Sequence, residues 1–429
     1  TGRPRPVAPE GVDQSPFRTR PASIAGARSK PTELTPKVAK FSRKSQISSS
    51  SAKRSLSTLA LTFRENKPVN ATASFVGNVT RTYLNASALA IVYDDGTVRA
   101  AGMLPSAKST TLRNAASFGA LPALSNVAQL VATETGAACV LLKTGAVQCL
   151  GTNTSGELGN GTTTSTTTLA AVPNMTDVVE LTAGSGHICA LKADQSIWCW
   201  GENDRGQTGS GSTASGVTAP AHVTDGISVV AGAFHTCSLS PYGQVFCWGA
   251  NDRSQLSIGG LLDSVVPQAV QGPMGLLVGI TQLALGDAHT CALQASGAIW
   301  CWGDPDEGQL GNGTMVGGKS PALVANIADA TQIATSADAT CALSDGFVSC
   351  WGADGQGELG DGLAPENAGH NWSPAEVPDL PESTSITAGG NSFCAMTRAL
   401  ILECWGNGVS GQFGDGKKQV EFVPQPIAL

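Results

Sequence analysis

The feature that most constrains the fold is a segment of about fifty residues that recurs along the chain. Each copy carries a Trp-Gly step or a variant of it, and the glycines of these steps are Gly102, Gly151, Gly201, Gly249, Gly303, Gly352 and Gly406. Successive glycines are 49, 50, 48, 54, 49 and 54 residues apart. Such a period, with several short strands in each unit, is typical of a β-propeller, and a linear solenoid is the alternative. Seven units can close a ring, which removes exposed sheet edges.

Each unit after the first contains two cysteines nine or ten residues apart, and this spacing predicts a β-hairpin. If the chain reverses midway between Cys189 and Cys199, the two cysteines face each other, and Leu191 faces Ile197. Alternate residues of the two strands then point to opposite faces. Both faces are largely apolar, so we expect the hairpin to be buried on both sides.

The turn of this hairpin is clearest in the sixth unit, where Asp345-Gly346 lies between the two cysteines. Asp-Gly is typical of a two-residue turn with positive φ at both positions. Aligning Asp95-Gly96 of the first unit with this turn places the two cysteine positions on Ile91 and Ala100. Both cysteines are absent together from the first unit, which indicates that they act as a pair.

All 12 cysteines of the chain follow this pattern. The pairs are Cys139 and Cys149, Cys189 and Cys199, Cys237 and Cys247, Cys291 and Cys301, Cys341 and Cys350, and Cys394 and Cys404. Directly opposed strand residues have Cα atoms about 4.5–5.5 Å apart, which overlaps the disulfide range, so we predict six disulfides in an oxidising compartment. Each would contribute at most about 2–3 kcal/mol. Buried free thiols are the alternative, whereas a metal site fits poorly because both cysteines of a pair lie in one hairpin.

Charge is distributed unevenly along the chain. Residues 1–67 contain 14 Lys and Arg and 4 Asp and Glu, about +10, and the remainder contains 12 basic and 29 acidic residues, about −17. The basic segment has few large apolar residues, so it is expected to be disordered. The whole chain contains 51 glycines, and this composition suits a turn-rich all-β fold for the remainder. No run of eighteen apolar residues occurs, so no membrane-spanning helix is expected.

The basic segment 1–67 has three interpretations. It could be an arm that binds an anionic partner, such as nucleic acid, an acidic protein lattice or the acidic ring of a neighbouring copy. It could be a targeting or pro-segment, with Lys53-Arg54 as a dibasic processing site. It could also be a solvated linker to a segment missing from this chain.

The repeated motif has the form G-x-x-H-T-C-x-L, followed by G-x-x-x-C-W-G-x-N-x-x-G-Q-L-G. It resembles the repeat of the regulator-of-chromosome-condensation (RCC1) family over roughly Val69 to Leu429, most closely at Gly232–Leu256 and Gly286–Gly311. The resemblance implies an all-β, seven-bladed propeller over residues 68–429, preceded by the disordered basic extension 1–67. It also implies that strands from both chain ends close the ring. The terminal strand Phe422–Leu429 would then complete a blade begun near residue 69.

The sequence contains no phosphate-binding glycine loop and no nucleophile–His–acid set. We therefore predict no catalytic, metal or cofactor site and no small-molecule substrate. His187, His235 and His289 recur in H-x-C, but Ala or Ser takes this position in other units, so we expect structural, hydrogen-bonded histidines. The tryptophans of the Trp-Gly steps are expected between blades. Trp372 lies outside this pattern, in a long insertion, and is the candidate partner contact.

Asn-x-Ser/Thr sequons favour a secreted glycoprotein. The candidate sites are Asn70, Asn78, Asn85, Asn153, Asn174 and Asn371, whereas Asn160 and Asn312 lie in an L-G-N-G-T turn that the fold itself favours. The segments 210–221, 259–273 and 361–381 are the longest and least repeat-like. We expect them to be loops that carry binding specificity.

Three functions follow as hypotheses. The first is a non-enzymatic scaffold in an extracellular or luminal setting that binds a protein or glycan through loops on one face. The second is a structural subunit of a large intracellular or surface assembly, anchored by segment 1–67, and deleting that segment would separate it from the first. The third, implied by the resemblance, is a nucleotide exchange factor for a small GTPase, which release of labelled nucleotide would test.

Overall fold

The computed structural model describes residues 78–103, 115–121, 124–273, 275–363 and 369–428. The basic segment 1–67 and the candidate glycosylation site Asn70 lie outside the described residues. The described residues form seven four-stranded antiparallel sheets, each built from four consecutive strands of the chain. None of the described segments is a helix with the length and apolarity that a membrane crossing requires.

Each sheet is one blade. Blade 1 contains β1 (Val79–Leu84), β2 (Ala88–Tyr93), β3 (Val98–Gly102) and β4 (Ala115–Ala120), and blade 2 contains β5 (Val127–Ala132), β6 (Ala137–Leu142), β7 (Val147–Gly151) and β8 (Thr166–Ala171). Blade 3 contains β9 (Val178–Ala183), β10 (His187–Lys192), β11 (Ser196–Glu202) and β12 (Gly216–Asp225), and blade 4 contains β13 (Ser228–Ala231), β14 (His235–Leu239), β15 (Val245–Gly249) and β16 (Ser264–Ala269). A separate hairpin, β17 (Gln271–Gly272) and β18 (Gly275–Leu276), follows. Blade 5 contains β19 (Ile280–Leu285), β20 (His289–Gln294), β21 (Ile299–Gly303) and β22 (Ala322–Leu323), and blade 6 contains β23 (Ala330–Thr335), β24 (Ala339–Ser344), β25 (Phe347–Gly352) and β26 (Asn371–Glu376). Blade 7 contains β27 (Ser383–Gly389), β28 (Ser392–Thr397), β29 (Leu402–Gly406) and β30 (Glu421–Ile427).

The second and third strands of each blade form the predicted hairpin. In blade 3, Cys189 pairs with Cys199 and Leu191 with Ile197, which confirms the predicted register. Residues His187 to Leu191 are all buried, since neighbouring blades cover both faces of the sheet. The six cysteine pairs have Cα atoms 4.1–4.2 Å apart and sulfur atoms at bonding distance. This spacing is that of the close, non-hydrogen-bonded pairs of an antiparallel sheet.

The turn Asp345-Gly346 has positive φ at both residues, 51° and 88°, as predicted. An L-residue with a Cβ is strained at the second angle, so Gly346→Ala is expected to lower the free energy of unfolding by about 1 kcal/mol or more. Gly355→Ala is the control, because Gly355 has no positive φ and a Cβ there meets no atom within 4 Å. Denaturant midpoints measure both. Equal midpoints for the two variants would contradict this account of the turn.

The structure of the first blade corrects the sequence alignment of its hairpin with that of the sixth unit. Ala90 lies opposite Ala100, whereas Ile91 lies opposite Arg99, so the prediction of Ile91 as a cysteine position was wrong. The turn of this hairpin is longer than Asp345-Gly346, because the amide of Tyr93 donates to the carbonyl of Thr97. The opposed positions are therefore ten residues apart, as in most of the other hairpins, and both are alanine.

The blades form a ring rather than a solenoid. The innermost strands contact each other in cyclic order, and β27 of the last blade contacts β1 of the first. Phe413 and Ile427 of blade 7 pack with Leu84 and Ile91 of blade 1. However, β30 pairs with β29 inside blade 7, so the prediction that the terminal strand completes the first blade was wrong. The ring closes by packing between two complete blades.

The three segments predicted to be loops each contain part or all of an outermost strand. These strands are β12, β16 and β26. An outermost strand pairs on one edge only, and the burial of β12 is intermediate along most of its length. Its sequence therefore lacks the apolar alternation that marks the inner strands. The connections between the third and fourth strands are 203–215, 250–263 and 353–370 in these blades.

Adjacent blades are locked together by the tryptophans of the Trp-Gly steps, all fully buried. Each indole Nε1 donates to a backbone carbonyl of the preceding blade, over 2.8–3.0 Å. The pairs are Trp200 with Glu157, Trp248 with Gln207, Trp302 with Gln255, Trp351 with Gln309 and Trp405 with Glu358. The accepting carbonyl thus belongs in each case to a Glu or Gln at the same position of the repeat, and it joins its blade to the next one.

Candidate functional site

The ring has two different faces. One face, here called the turn face, carries the short turns and links between strands, such as 193–195 and 226–227. The other, here called the loop face, carries the connections between first and second strands, such as 184–186, and the long connections between third and fourth strands, such as 203–215. The later parts of the long connections, such as 210–215 and 258–263, differ in sequence between units, so the loop face is the candidate binding surface.

A buried asparagine organises each long connection in blades 2, 3 and 4. In blade 4, the Asn251 carbonyl oxygen accepts from the amide of Leu256, and its Nδ2 donates to the carbonyls of Gly260 and Leu262. Asn153 and Asn203 make the same kinds of contact in their blades. These bonds fix the loop backbone before any partner arrives, which lowers the entropic cost of binding.

Aliphatic side chains are exposed along the long connections of consecutive blades. They are Leu261 and Leu262 in blade 4, Met315 and Val316 in blade 5, Leu363 in blade 6 and Val409 in blade 7. Leu262 is 83% exposed and Val316 is 78% exposed. Exposed apolar side chains on preorganised loops are typical of surfaces that bind proteins.

The loop face is rich in carboxylates, and part of this charge is paired. Arg205 contacts Asp252 and Asp263, and Arg253 contacts Asp304 at 3.2 Å and Asp306. These pairs bridge neighbouring blades at partly exposed positions, so each contributes little to stability.

Other carboxylates of the loop face lack a basic partner; Asp354 and Glu358 are buried, whereas Asp287 is exposed. Partial loss of hydration raises the pKa of Asp287 to about 6, and the charges of Glu134 and Asp338 add to the rise. Burial also raises the pKa of Asp354 to about 6 and that of Glu358 to about 7. This surface therefore favours a cationic ligand or a proton.

Glu358 gives a pH-dependent prediction. Its carboxyl titrates near pH 4.3 when unfolded, and its folded pKa of about 7 is higher, so the folded state binds the proton more tightly. Its contribution to stability is therefore lost as pH rises from about 4.5 through 7. Glutamine occupies the same position in Gln207 and Gln255, so Glu358→Gln is expected to fold and to be more stable at pH 8 by about 1–3 kcal/mol.

The measurement is the free energy of unfolding at pH 5 and pH 8. Glu358→Gln should reduce the loss of stability between these two values, whereas Glu376→Gln, at an exposed position of β26, should not change it. An unchanged pH dependence in Glu358→Gln would contradict the burial of an uncompensated charge at this position.

The predicted contact residue Trp372 lies on β26, the outermost strand of blade 6. It is 41% exposed, and its carbonyl accepts from the amide of Gly313 in blade 5. Its ring covers Gly308, where a Cβ would lie 2.4 Å from the indole. Trp372 therefore joins two blades at the edge of the loop face and keeps part of its ring free for a partner.

The predicted glycosylation sites differ in accessibility. Asn78 and Asn174 are exposed, and Asn85 and Asn371 are half-buried. Asn153 is fully buried, and its amide donates to loop carbonyls of its own blade. A glycan on Asn153 is incompatible with this arrangement, so the structure removes it from the candidate sites.

The three repeated histidines connect neighbouring blades. His187 Nε2 lies 2.7 Å from Thr236 Oγ1, and this hydroxyl donates to the Gln207 carbonyl, so the imidazole donates. His235 and His289 contact Thr290 and Thr340 in the same way. Burial lowers the pKa of His187 and His235 to about 3 and that of His289 to about 4, so all three are neutral. Within the described ranges, no group of three or more His, Cys, Asp or Glu is placed to hold a metal ion.

One residue of this face was missed by the sequence reasoning. Asp354 of blade 6 occupies the position of the loop-organising Asn203 and Asn251. Its Oδ1 accepts from the amide of Leu359 at 3.0 Å, but its buried Oδ2 has no hydrogen-bond partner. The Asn-to-Asp difference between repeats was a visible signal, whereas the missing partner was not.

Comparisons with known proteins agree with this architecture. The family model described as the regulator of chromosome condensation (RCC1) repeat matches residues 242–293 and 296–343. A second model of the same repeat matches residues 178–207, 227–255 and 280–309. The human and mouse E3 ubiquitin-protein ligases HERC2 are each 40% identical over 67 residues, which is 16% of this chain and 1% of those proteins. The chain therefore spans a very small part of the curated relatives it matches.

Three solved structures are similar in fold. Human WBSCR16 has a TM-score of 0.62 and 21% identity, over 76% of this chain and 90% of that chain. Prp20p from Saccharomyces cerevisiae has a TM-score of 0.59 and 21% identity, over 71% and 77%. Yeast RCC1 (Prp20) bound to Kap60 has a TM-score of 0.64 and 19% identity, over 88% and 91%. At these identities the likeness shows the fold alone.

Proposed function

We propose that this chain is a non-enzymatic scaffold that binds a protein through its loop face, since regulator of chromosome condensation repeats match parts of residues 178–343 and the described strands form seven blades closed into a ring. The observation that carries the proposal is the set of exposed aliphatic side chains on the long connections of blades 4 to 7. In blade 4, the buried Asn251 holds the connection that carries Leu261 and Leu262 in place. A surface of this kind can bind a protein at low entropic cost.

A protein partner is favoured over a glycan. The tryptophans of the Trp-Gly steps are fully buried and cannot stack on a sugar, and Trp372, 41% exposed, lies at the edge of the loop face. The aliphatic side chains on the long connections suit an apolar protein surface instead. Yeast Prp20 is described with Gsp1p, histones and Kap60 as partners, so propellers of similar fold do bind proteins.

We place this scaffold in an extracellular or luminal compartment. The six cysteine pairs are at disulfide distance and almost completely buried, and cytosolic proteins rarely keep such bonds. The basic segment 1–67 lies outside the described residues. Its role as an anchor to an anionic partner remains the second hypothesis, tested by deletion.

The test compares two pairs of substitutions at matched exposure. Leu262→Asp with Val316→Asp changes the loop face, at residues 83% and 78% exposed. Tyr242→Asp with Leu400→Asp changes the turn face, at residues 84% and 74% exposed. Each tagged chain is cross-linked in extracellular material of its source, and the captured proteins are quantified by mass spectrometry.

The proposal predicts one or a few specific partners whose recovery falls by roughly tenfold or more in the loop-face variant and is unchanged in the turn-face variant. Equal recovery with both variants would place binding elsewhere. Loss only in the turn-face variant would assign binding to the opposite face.

A further inference from the structure

A cavity of about 330 Å³ opens on the loop face where blades 5, 6 and 7 meet. Four of its lining residues are carboxylates, Glu307, Asp338, Asp354 and Glu358, and the lining also includes His370 and Asn391. We call this cavity the acidic pocket. It brings together residues from three consecutive blades, so it exists only when these blades pack against each other.

The floor of the acidic pocket has an unsatisfied acceptor. Asp354 is 2% exposed, and its Oδ2 has no hydrogen-bond partner. In blades 3 and 4 the equivalent Asn203 and Asn251 donate from Nδ2 to loop carbonyls, and a carboxylate cannot make this bond. A buried acceptor without a donor is costly, so the pocket is suited to a ligand that brings donors.

Basic residues offset the charge of the acidic pocket only in part. The sequence contains no lysine or arginine between Lys319 and Arg398. Arg253, on the neighbouring blade, is already paired with Asp304 and Asp306. His370 Nδ1 lies 2.6 Å from Glu307 Oε2, so one of the four carboxylates has a side-chain partner.

The carboxylates of the acidic pocket also act on each other. Burial raises the pKa of Asp338, the charges of Asp304 and Glu307 raise it further, and the charge of Arg253 lowers it in part. Asp354 and Asp338 add in the same way to the raised pKa of Glu358. A cation in the pocket would relieve this repulsion between like charges.

We propose that the acidic pocket binds a basic side chain of a protein partner, with arginine preferred over lysine. The inference rests on the proposed function, because the basic side chain would belong to the protein that binds the loop face. A guanidinium carries five donors in a planar fork and can serve several carboxylate oxygens at once, whereas an ammonium has three donors. A metal ion is not favoured, since these carboxylates are not arranged as metal ligands in the described part of the chain.

The test uses a short capped peptide, acetyl-Gly-Gly-Arg-Gly-Gly-amide, and the full chain. Trp405 is the reporter, because its indole donates to the carbonyl of Glu358 at 2.9 Å, and its indole NH resonance is followed by NMR. Matched peptides carry lysine or the neutral isostere citrulline instead of arginine. Asp354→Asn restores the residue found in other blades, and Asp345→Asn removes the same charge from the exposed turn at the opposite end of blade 6.

The proposal predicts saturable shifts with the arginine peptide, weaker binding of the lysine peptide and none with citrulline. Asp354→Asn should weaken arginine binding by roughly tenfold or more, and Asp345→Asn should leave it unchanged. Asp338→Asn is the second variant should Asp354→Asn alter the spectrum of the whole propeller. Equal binding of the arginine peptide by all variants, or no shift with that peptide, would overturn the proposal that the acidic pocket binds arginine. Neither result would bear on the loop-face scaffold, because no macromolecular partner takes part in this experiment.

Discussion

Replacing Trp302 with alanine is expected to lower the free energy of unfolding by about 3–5 kcal/mol. The side chain is fully buried and packs against apolar residues of blades 4 and 5, including Leu256 and Leu283. Its indole also donates to the Gln255 carbonyl at 2.8 Å, and the substitution would remove this bond and leave the carbonyl with the Thr290 hydroxyl as its donor. The loss thus combines a large cavity with a broken bond between two blades.

The matched control for this prediction is Trp372→Ala. Trp372 is also a tryptophan between two blades, but it is 41% exposed, so we expect a loss below about 1.5 kcal/mol. Denaturant unfolding followed by circular dichroism measures both variants. Similar losses for Trp302→Ala and Trp372→Ala would contradict the assignment of the Trp-Gly tryptophans as the inter-blade lock.

Removing one cysteine pair, by Cys291→Ala with Cys301→Ala, is expected to lower the free energy of unfolding by about 2–3 kcal/mol. The expected loss is mainly entropic, since the bond restricts the unfolded chain. The fold itself should survive, because blade 1 has alanine at both opposed positions, Ala90 and Ala100. The double variant and the native chain are compared under non-oxidising and non-reducing conditions.

The control repeats the comparison after complete reduction of both proteins. The difference between them should then shrink to a small packing term, because neither retains the bond in blade 5. A difference that is the same before and after reduction would show that packing, rather than the disulfide, makes the contribution of this pair.

The hairpin could be predicted from the sequence because its information is local. Cys189 and Cys199 fix the register, and two apolar faces indicate burial between blades. The outermost strands could not be placed in the same way. β22 contains only Ala322–Leu323, and its pattern gives no periodicity to read. The terminal strand was assigned to the first blade because the family resemblance implied that both chain ends close the ring, whereas it pairs inside blade 7.

Predicting the candidate site from the sequence required more knowledge of tertiary contacts than predicting the fold. The sequence shows Asp354 where Asn203 and Asn251 stand in other repeats. It does not show that Oδ2 is buried without a partner, nor that Glu307 and Asn391 of other blades line the same cavity. Those facts arise only when neighbouring blades meet. The burial of Asn153 depends on how the connection of its own blade folds around the side chain, which the sequon does not show.

The most direct test is mass spectrometry of the native chain, with free thiols alkylated before denaturation and without reduction. The account predicts a mass about 12 Da below that of the fully reduced chain, no alkylation, and six linked peptides, each joining the two cysteines of one hairpin. Alkylated cysteines, or links between cysteines of different blades, would contradict it.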